Sequence, residues 1–310
     1  YRNKVELEND PVERENLRFK IANLQEDLLG QPDEAIVTYN EILADDDLNL
    51  RAIQALDRLY QAGGQWGELA ENLVRQLTLT DDMMRQVELN LRLGALRLQK
   101  LEQPGLAVET YSRVLEIEPH NDTALEALES LLGNEDHQLS VARILQPIYE
   151  TSNDWPKLIH SYEIMVKHSL DPNEKIQLLH KIGELNELGG DDQAEAFAAF
   201  GRALEEDPAN EETQQRLDGL ARQLGLYAEL VALYESVVTD VVDEQLRIRI
   251  LGKVAQLYEV ALDDAENAAA SYEKILEVDP GNFEAIDALI EVHRRTNNFE
   301  PLVAAVVRKA

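Results

Sequence analysis

The chain repeats itself with a long period. A short pattern of alanine, an aromatic residue four positions later and an apolar residue three beyond that occurs four times. Its alanines are Ala35, Ala107, Ala196 and Ala268, which are separated by 72, 89 and 72 residues. A fixed period of this kind is typical of a solenoid, in which each unit buries its apolar face against its neighbours. The repeat therefore predicts an elongated all-α fold, with function on an extended surface.

Two further patterns recur in phase with the first. One is an aromatic residue with apolar residues three and seven positions later, at Trp66/Leu69/Leu73, Trp155/Leu158/Tyr162, Tyr227/Leu230/Tyr234 and Phe299/Leu302/Val306. The other is an apolar residue followed by a small one, at Ile21-Ala22, Leu93-Gly94, Ile182-Gly183 and Leu251-Gly252. Steps of three and four lie on one helical face, and a small residue lets a neighbouring helix approach. We predict four-helix modules at about 9–80, 81–170, 171–240 and 241–310, within one solenoid over residues 1–310.

The second module is longer than the others, because its alanine spacing is 89 residues instead of 72. The first module has the single helix 49–62 at this place. In the second module, helix 122–133 corresponds to it by its distance from Pro119, and helix 138–151 corresponds to it by its distance from Trp155. We interpret this as one helix duplicated in tandem, with Pro147 inside the second copy. One added helix changes the alternation of layers, so we expect a bend around residues 120–155.

The spacing of Ala196, Phe200, Ala203 and Pro208 matches the second helix of the tetratricopeptide repeat. The chain resembles this family over nearly its whole length, with alternate helix pairs matching well and degenerate copies like those in large bacterial repeat proteins. The resemblance implies a right-handed α-solenoid of about 17 antiparallel helices, and it implies protein binding.

Charge and residue types exclude several kinds of function. Sixty acidic residues against 29 basic ones give a formal net charge of −31, which repels nucleic-acid phosphates and anionic membrane surfaces. There are no cysteines, and the six histidines show no metal-ligand spacing. No apolar run is long enough to cross a membrane. We therefore expect no enzyme activity, no cofactor, no metal site, no nucleic-acid partner and no direct membrane insertion.

The expected function is a non-enzymatic scaffold that binds a peptide or a folded protein on its concave face, with a basic partner as one reading of the net charge. Repeat position alone gives the candidate contact residues Arg51, Gln54, Arg58, Gln177, His180, Glu184, Gln215, Arg222, Arg249, Lys253, Glu284 and Arg294. Two alternatives stay open: a structural spacer within a much larger repeat protein, or the regulatory subunit of an enzyme. The chain reads as an internal fragment of a longer protein; we expect the cytoplasm, with the periplasm or another compartment open.

Two expectations concern packing. Phe200 and Tyr272 should be buried between adjacent helices. The final helix carries Leu302, Val303, Val306 and Val307 on a stripe that nothing later in the chain covers. Exposed apolar patches favour association, so we expect weak self-association through this helix.

Overall fold

The computed structural model describes residues 2–189 and 192–309, and the regular secondary structure in these ranges is entirely helical. Contacts divide the chain into two compact units, one ending at Ile148 and one beginning at Tyr149. The helices of the first unit are α1 (Arg2–Leu7), α2 (Pro11–Asn23), α3 (Pro32–Asp45), α4 (Leu50–Gly63), α5 (Trp66–Thr78), α6 (Met83–Gln99), α7 (Pro104–Ile117) and α8 (Asp122–Glu129). The helix α9 (Gln138–Ser152) contains the division. The helices of the second unit are α10 (Trp155–His168), α11 (Pro172–Gly189), α12 (Gln193–Glu206), α13 (Glu211–Leu224), α14 (Tyr227–Val238), α15 (Glu244–Gln256), α16 (Ala265–Val278), α17 (Phe283–Arg295) and α18 (Phe299–Lys309).

The described residues thus form an all-α helical-repeat fold, one helix more than the expected number because of α1. Two α-helices continue into π-helical turns: Leu24–Leu28 follows α2 and Leu257–Ala261 follows α15. Within each unit, contacts join helices that follow one another in sequence, such as α6 with α7 and α11 with α12. This nearest-neighbour packing is what the repeat predicts.

Asparagine begins the third helix of every module. The side-chain oxygens of Asn49, Asn121, Asn210 and Asn282 each accept the backbone N–H three residues later, at 3.0 to 3.2 Å. These bonds satisfy N–H groups that have no partner within the helix.

A left-handed residue precedes the last helix of each module. Gly64, Asn153, Gly225 and Asn297 have φ between 56° and 75°. Glycine and asparagine tolerate this region better than other residues. The next residue donates its N–H to the carbonyl five positions back in every copy, as from Gln65 to Tyr60 at 2.9 Å. The backbone therefore follows the same 89- and 72-residue spacing as the side chains.

The additional helix of the second module is present as α8 and α9. The predicted helix 122–133 ends earlier, at Glu129, so that boundary was wrong. Turns bonded between residues three apart replace its last part, including Leu131 to Leu128 at 2.9 Å and Asn134 to Leu131 at 3.0 Å. Pro147 lies inside α9, as predicted.

In the second and third modules, the small residue lies against the aromatic residue of the next helix. A Cβ added to Gly94 would lie 2.8 Å from the Tyr111 ring, and one added to Gly183 would lie 2.6 Å from the Phe200 ring. No real Cβ atom approaches a neighbour so closely, so these two glycines permit the packing. Phe200 is fully buried, as predicted.

The fourth module differs from the sequence interpretation. Gly252 has no atom near the place of a Cβ, whereas Ala255 is fully buried. Ala255 lies thirteen residues before Ala268, the same separation as Gly183 from Ala196. The small residue of this module is therefore Ala255, and the choice of Leu251-Gly252 was wrong.

Tyr272 is only half-buried, so the prediction for this residue was wrong in degree. Its hydroxyl donates to Glu259 Oε2 at 3.3 Å, on the π-helical turn after α15. This bond keeps the polar end of the ring near the surface. Burial of the ring, together with the Glu259 charge, raises the pKa of the Tyr272 hydroxyl to about 12.

The last helix has one packed face and one exposed face. Leu302 packs against the core of the second unit and Ala305 is buried. Val303, Val306 and Val307 are exposed, with Phe299 on the same side. The predicted apolar stripe therefore contains the three valines, and Leu302 does not belong to it.

Candidate interaction surface

The twelve predicted contact residues lie on five helices. Arg51, Gln54 and Arg58 are on α4; Gln177, His180 and Glu184 on α11; Gln215 and Arg222 on α13; Arg249 and Lys253 on α15; Glu284 and Arg294 on α17. His180, Glu184 and Lys253 are half-buried and the other nine are exposed. These are the first and third helices of their modules.

The structure brings three of these residues together between α13 and α15. Gln215, Arg249 and Lys253 line a cavity of about 280 Å³, with Glu211 and Ile250 among its other walls. Lys253 is held in place, because its Nζ lies 3.0 Å from Asp218 Oδ2 and 5.5 Å from the centre of the Tyr234 ring. The α13–α15 cavity (Glu211, Gln214, Gln215, Arg249, Ile250 and Lys253) therefore has a fixed cation on one wall.

Arg249 and Gln215 are exposed, and neither side chain has a bonding partner among the residues that the structure describes. An arginine carries five N–H donors in a planar fork, and a glutamine amide both donates and accepts. Two such groups at one cavity can bind carboxylate or peptide groups of a second molecule. This is the best-formed cluster of predicted contact residues in the described chain.

His180 and Glu184 make internal contacts. His180 Nε2 lies 2.7 Å from Thr213 Oγ1, and its ring meets the Phe200 ring edge-on at 5.3 Å. Burial lowers the pKa of the His180 imidazole below its usual value. Glu184 Oε1 accepts from Arg216 Nη2 at 2.9 Å. Both residues join α11 to α13, so they stabilise the surface and leave little free bonding capacity for a partner.

Arg51, Arg58 and Arg294 also make internal contacts. The Arg51 guanidinium lies 4.1 Å from the centre of the Phe19 ring. Arg58 pairs with Glu26, and that hydrogen bond raises the pKa of the arginine. Arg294 Nη1 donates to Glu291 on its own helix at 2.6 Å. Exposed pairs of this kind contribute little to stability, so a partner could replace them at small cost.

Four predicted residues lie apart from these groups. They are exposed, and their side chains have no recorded bond within the described ranges: Gln54, Gln177, Arg222 and Glu284. None of them lines the α13–α15 cavity.

A recurrent basic residue was missed by the sequence interpretation. Lys20, Arg92, Lys181 and Lys253 occupy one position in successive modules, at the 72-, 89- and 72-residue spacing. When the repeats are aligned with Gly252 at the position of Gly183, Lys253 falls at the position of Glu184. With Ala255 as the small residue, Lys253 corresponds to Lys181.

The contacts of this basic position confirm the corrected register. Arg92 Nη2 binds Asp57 Oδ1 at 2.7 Å in the first unit, as Lys253 binds Asp218 in the second. Lys181 lies 5.2 Å from the centre of the Tyr162 ring, which is the counterpart of Tyr234. The basic residue thus joins the first helix of a module to the module before it. Its fixed spacing in the sequence was the signal that could have revealed it.

Neither a metal site nor a membrane span occurs in the described ranges. No group of three or more His, Asp or Glu residues there could hold a metal ion. None of the helices described combines the length and the hydropathy that crossing a bilayer requires.

Comparison with known families finds tetratricopeptide repeats at two places. Residues 17–47 and residues 248–282 each match a tetratricopeptide repeat family. These segments correspond to α2 with α3 and to α15 with α16. They are the helix pairs that carry the alanine pattern.

Among curated proteins, the chain is similar to lipopolysaccharide assembly protein B of Escherichia coli strain K12. The two are 22% identical over 239 residues, which are 74% of this chain and 57% of the relative. The proteins of the same name from Escherichia coli O6:H1 strain CFT073 and from Escherichia coli O157:H7 match equally. The matched region spans little more than half the length of these relatives.

Solved structures give similar sequence identities and low TM-scores. The TPR2AB domain of yeast Sti1, in a complex with pHSP90, is 20% identical with a TM-score of 0.30; 80% of this chain and 98% of that one are covered. A crystal structure of MamA is 22% identical with a TM-score of 0.27, covering 61% and 95%. The TPR domain of P58(IPK) is 14% identical with a TM-score of 0.27, covering 95% and 92%. Superpositions this weak add nothing to what the helices themselves show.

Proposed function

Because this chain is a tetratricopeptide-repeat protein with degenerate repeats, we propose that it is a non-enzymatic scaffold that binds a peptide or a folded protein on the first and third helices of its modules. These helices correspond to the concave face of the family's solenoids. The observation that carries the proposal is the pairing of Arg249 and Gln215 at the α13–α15 cavity, where both side chains are exposed and free of internal bonds. In a scaffold, exposed side chains such as these bind a partner and need no catalytic residues beside them.

The chemistry of the α13–α15 cavity favours an extended peptide. Arg249 can donate to a carboxylate or a backbone carbonyl, and Gln215 can bond a peptide group in either direction. Lys253, paired with Asp218, forms a basic part of the cavity wall. Glu211 on the wall supplies an acceptor for a partner N–H or a basic side chain. Mixed polar walls of this kind suit a backbone with alternating donors and acceptors.

The curated relative does not extend this proposal to lipopolysaccharide assembly. The similarity covers 57% of that protein at 22% identity, and repeats alone can produce such a match. We keep the cytoplasm as the expected compartment, which fractionation of the native host would test.

A quantitative pull-down from the native host tests the proposal. The full chain is immobilised as wild type, as Arg249→Ala/Gln215→Ala and as the control Arg113→Ala. Arg113 is an exposed arginine on α7, the second helix of its module, which carries none of the candidate contact residues. We expect at least one protein to be retained by the wild type and by Arg113→Ala, and to be depleted about tenfold with the double variant.

Other results would change the assignment. Retention that is equal on all three baits would place binding elsewhere and contradict the proposed surface. The absence of any specifically retained protein would favour the alternative of a structural spacer. Specific retention of an enzyme whose activity changes on binding would favour the regulatory-subunit alternative.

A further inference from the structure

A second surface lies where the ends of α12 and α14 meet the beginning of α15. It is a groove of about 620 Å³, a volume within the ~300–1,000 Å³ typical of ligand pockets. Its floor is apolar, with Val237 and Val241 buried and Pro208 and Leu246 half-buried. We call it the α12–α14–α15 groove. It is separate from the candidate contact residues, which lie on other parts of the helices.

The rim of the α12–α14–α15 groove is acidic. Glu205, Asp240 and Asp243 line it, and no basic residue is among its described walls. Asp243 accepts the backbone N–H of Leu246 at 2.7 Å, as the cap of α15. Glu205 and Asp240 are exposed, and within the described residues neither carboxylate has a hydrogen bond or an ion pair; Glu205 interacts electrostatically with Arg202. Val242, beside them, is 89% exposed and extends the apolar floor toward solvent.

The same place in the first unit is filled differently. Gln76 and Arg85 occupy the positions of Val237 and Leu246, each 161 residues earlier in the chain. Gln76 is buried and donates to Asp57 Oδ2 at 2.6 Å, and Arg85 Nη2 donates to Gln76 Oε1 at 3.2 Å. In the first unit, polar side chains therefore fill this position and hydrogen-bond to one another. In the second unit, the corresponding position has an apolar floor instead.

Backbone and capping contacts show that the two places correspond. Gln86 Nε2 donates to the carbonyl of Thr80 at 2.8 Å, and Arg247 Nε donates to the carbonyl of Val241 at 3.0 Å. Asp82 begins α6 as Asp243 begins α15. The difference between the two places thus comes from the side chains at matched positions.

We propose that the α12–α14–α15 groove docks a segment of a partner protein in which a lysine or arginine lies next to a large apolar side chain. The apolar side chain would cover the valine and leucine floor, which gains free energy by leaving water. The basic side chain would lie against the exposed carboxylates of Glu205 and Asp240. The net charge of −31 would also steer a basic segment toward the chain and repel an acidic one. This inference does not rest on the surface proposed above.

The experiment begins with a phage-displayed random dodecapeptide library. Peptides are selected on the full chain and counter-selected on Val237→Gln/Leu246→Arg, which introduces the side chains of the first unit. That variant should fold, because the same repeat accommodates the same pair at the corresponding place. We expect the retained peptides to share a basic residue beside Leu, Ile or Phe. A consensus without a basic residue, or no consensus at all, would overturn the proposal.

Affinities of the synthetic consensus peptide, measured by fluorescence anisotropy, then locate the binding. Val237→Gln/Leu246→Arg should weaken binding about tenfold or more, whereas Thr123→Arg, an exposed change of equal charge on α8, should leave it unchanged. Glu205→Gln/Asp240→Asn should weaken binding severalfold at low salt, with a smaller difference at high salt. Circular dichroism melts establish that each variant is folded.

Two outcomes would contradict the proposal. Equal affinity for the wild type and a folded Val237→Gln/Leu246→Arg variant would show that the groove is not the site. A loss of affinity with Arg249→Ala/Gln215→Ala would assign the peptide to the α13–α15 cavity. That second result would support the proposed function while it refutes this inference, so the two remain distinguishable.

Discussion

Replacement of Gly183 by alanine tests how the helix pairs are packed. The new Cβ would lie 2.6 Å from the Phe200 ring, which is fully buried. That ring cannot easily move, because the His180 ring lies at 5.3 Å and the Arg216 guanidinium at 5.7 Å from its centre. Forcing a methyl group into a packed core costs about 1–3 kcal/mol. Alanine in a helix gains about 1 kcal/mol over glycine, so the net loss should be about 0–2 kcal/mol.

Gly252 provides the matched control, because it lies within α15 of the same unit and has open space at its Cβ. Gly252→Ala should therefore increase the free energy of unfolding by about 0.5–1 kcal/mol. The gain in helix propensity is common to both variants and cancels in their difference. Gly183→Ala should thus be less stable than Gly252→Ala by about 1–3 kcal/mol, the cost of overpacking alone.

Urea unfolding followed by circular dichroism measures this difference. A double variant, Gly183→Ala with Phe200→Leu, should lose less than the sum of its single changes, because the smaller side chain relieves the collision. If Gly183→Ala and Gly252→Ala were equally stable, the ring would have room to move. The close approach of α11 and α12 would then not be what requires glycine.

Three further predictions follow from the second unit. Phe200→Ala should cost about 3–5 kcal/mol and should make urea unfolding biphasic, because solenoid stability is a sum of local terms; an unchanged single transition would refute this. The wild type should self-associate weakly, more at high salt, and Val303→Glu/Val307→Glu should not; light scattering that is the same for both would contradict a role for the α18 stripe. The pKa of the Tyr272 hydroxyl is raised to about 12, so the folded state keeps a proton that the unfolded state loses near pH 10. Stability should therefore fall more steeply between pH 10 and 12 in the wild type than in Tyr272→Phe, and equal slopes would show that burial and Glu259 do not shift this tyrosine.

The sequence predicted the helices well, because local signals and tertiary packing agree in most of the chain. Asparagine caps, the buried alanines and Phe200 all follow from one repeated pattern. The pattern failed where two residues competed for one position. Gly252 follows a leucine, as the other small residues follow apolar ones, whereas Ala255 has the correct distance from Ala268. The distance from Ala268 favours Ala255, and the burial of Ala255 confirms that choice.

The interaction surface was less predictable than the fold. Repeat position placed Gln215, Arg249 and Lys253 on neighbouring helices, and the structure gathers them at one cavity. It could not show that His180 is bonded to Thr213, since that contact joins residues 33 apart in the chain. The groove formed by α12, α14 and α15 was missed altogether. The sequence difference behind it is that Val237 stands where the first unit has Gln76. That difference is informative only when the contacts of Gln76 in the structure are known.

Site-specific crosslinking in the native host tests the central claim most directly. A photoreactive benzoylphenylalanine replaces Gln215 in the α13–α15 cavity. As the control, it replaces Arg113 on α7, a helix without candidate contact residues. We expect a discrete covalent adduct from position 215, no matching adduct from position 113, and loss of the adduct when Arg249→Ala is added. Adducts of equal yield at both positions, or an adduct at 215 that Arg249→Ala leaves unchanged, would contradict a scaffold that binds its partner on this surface.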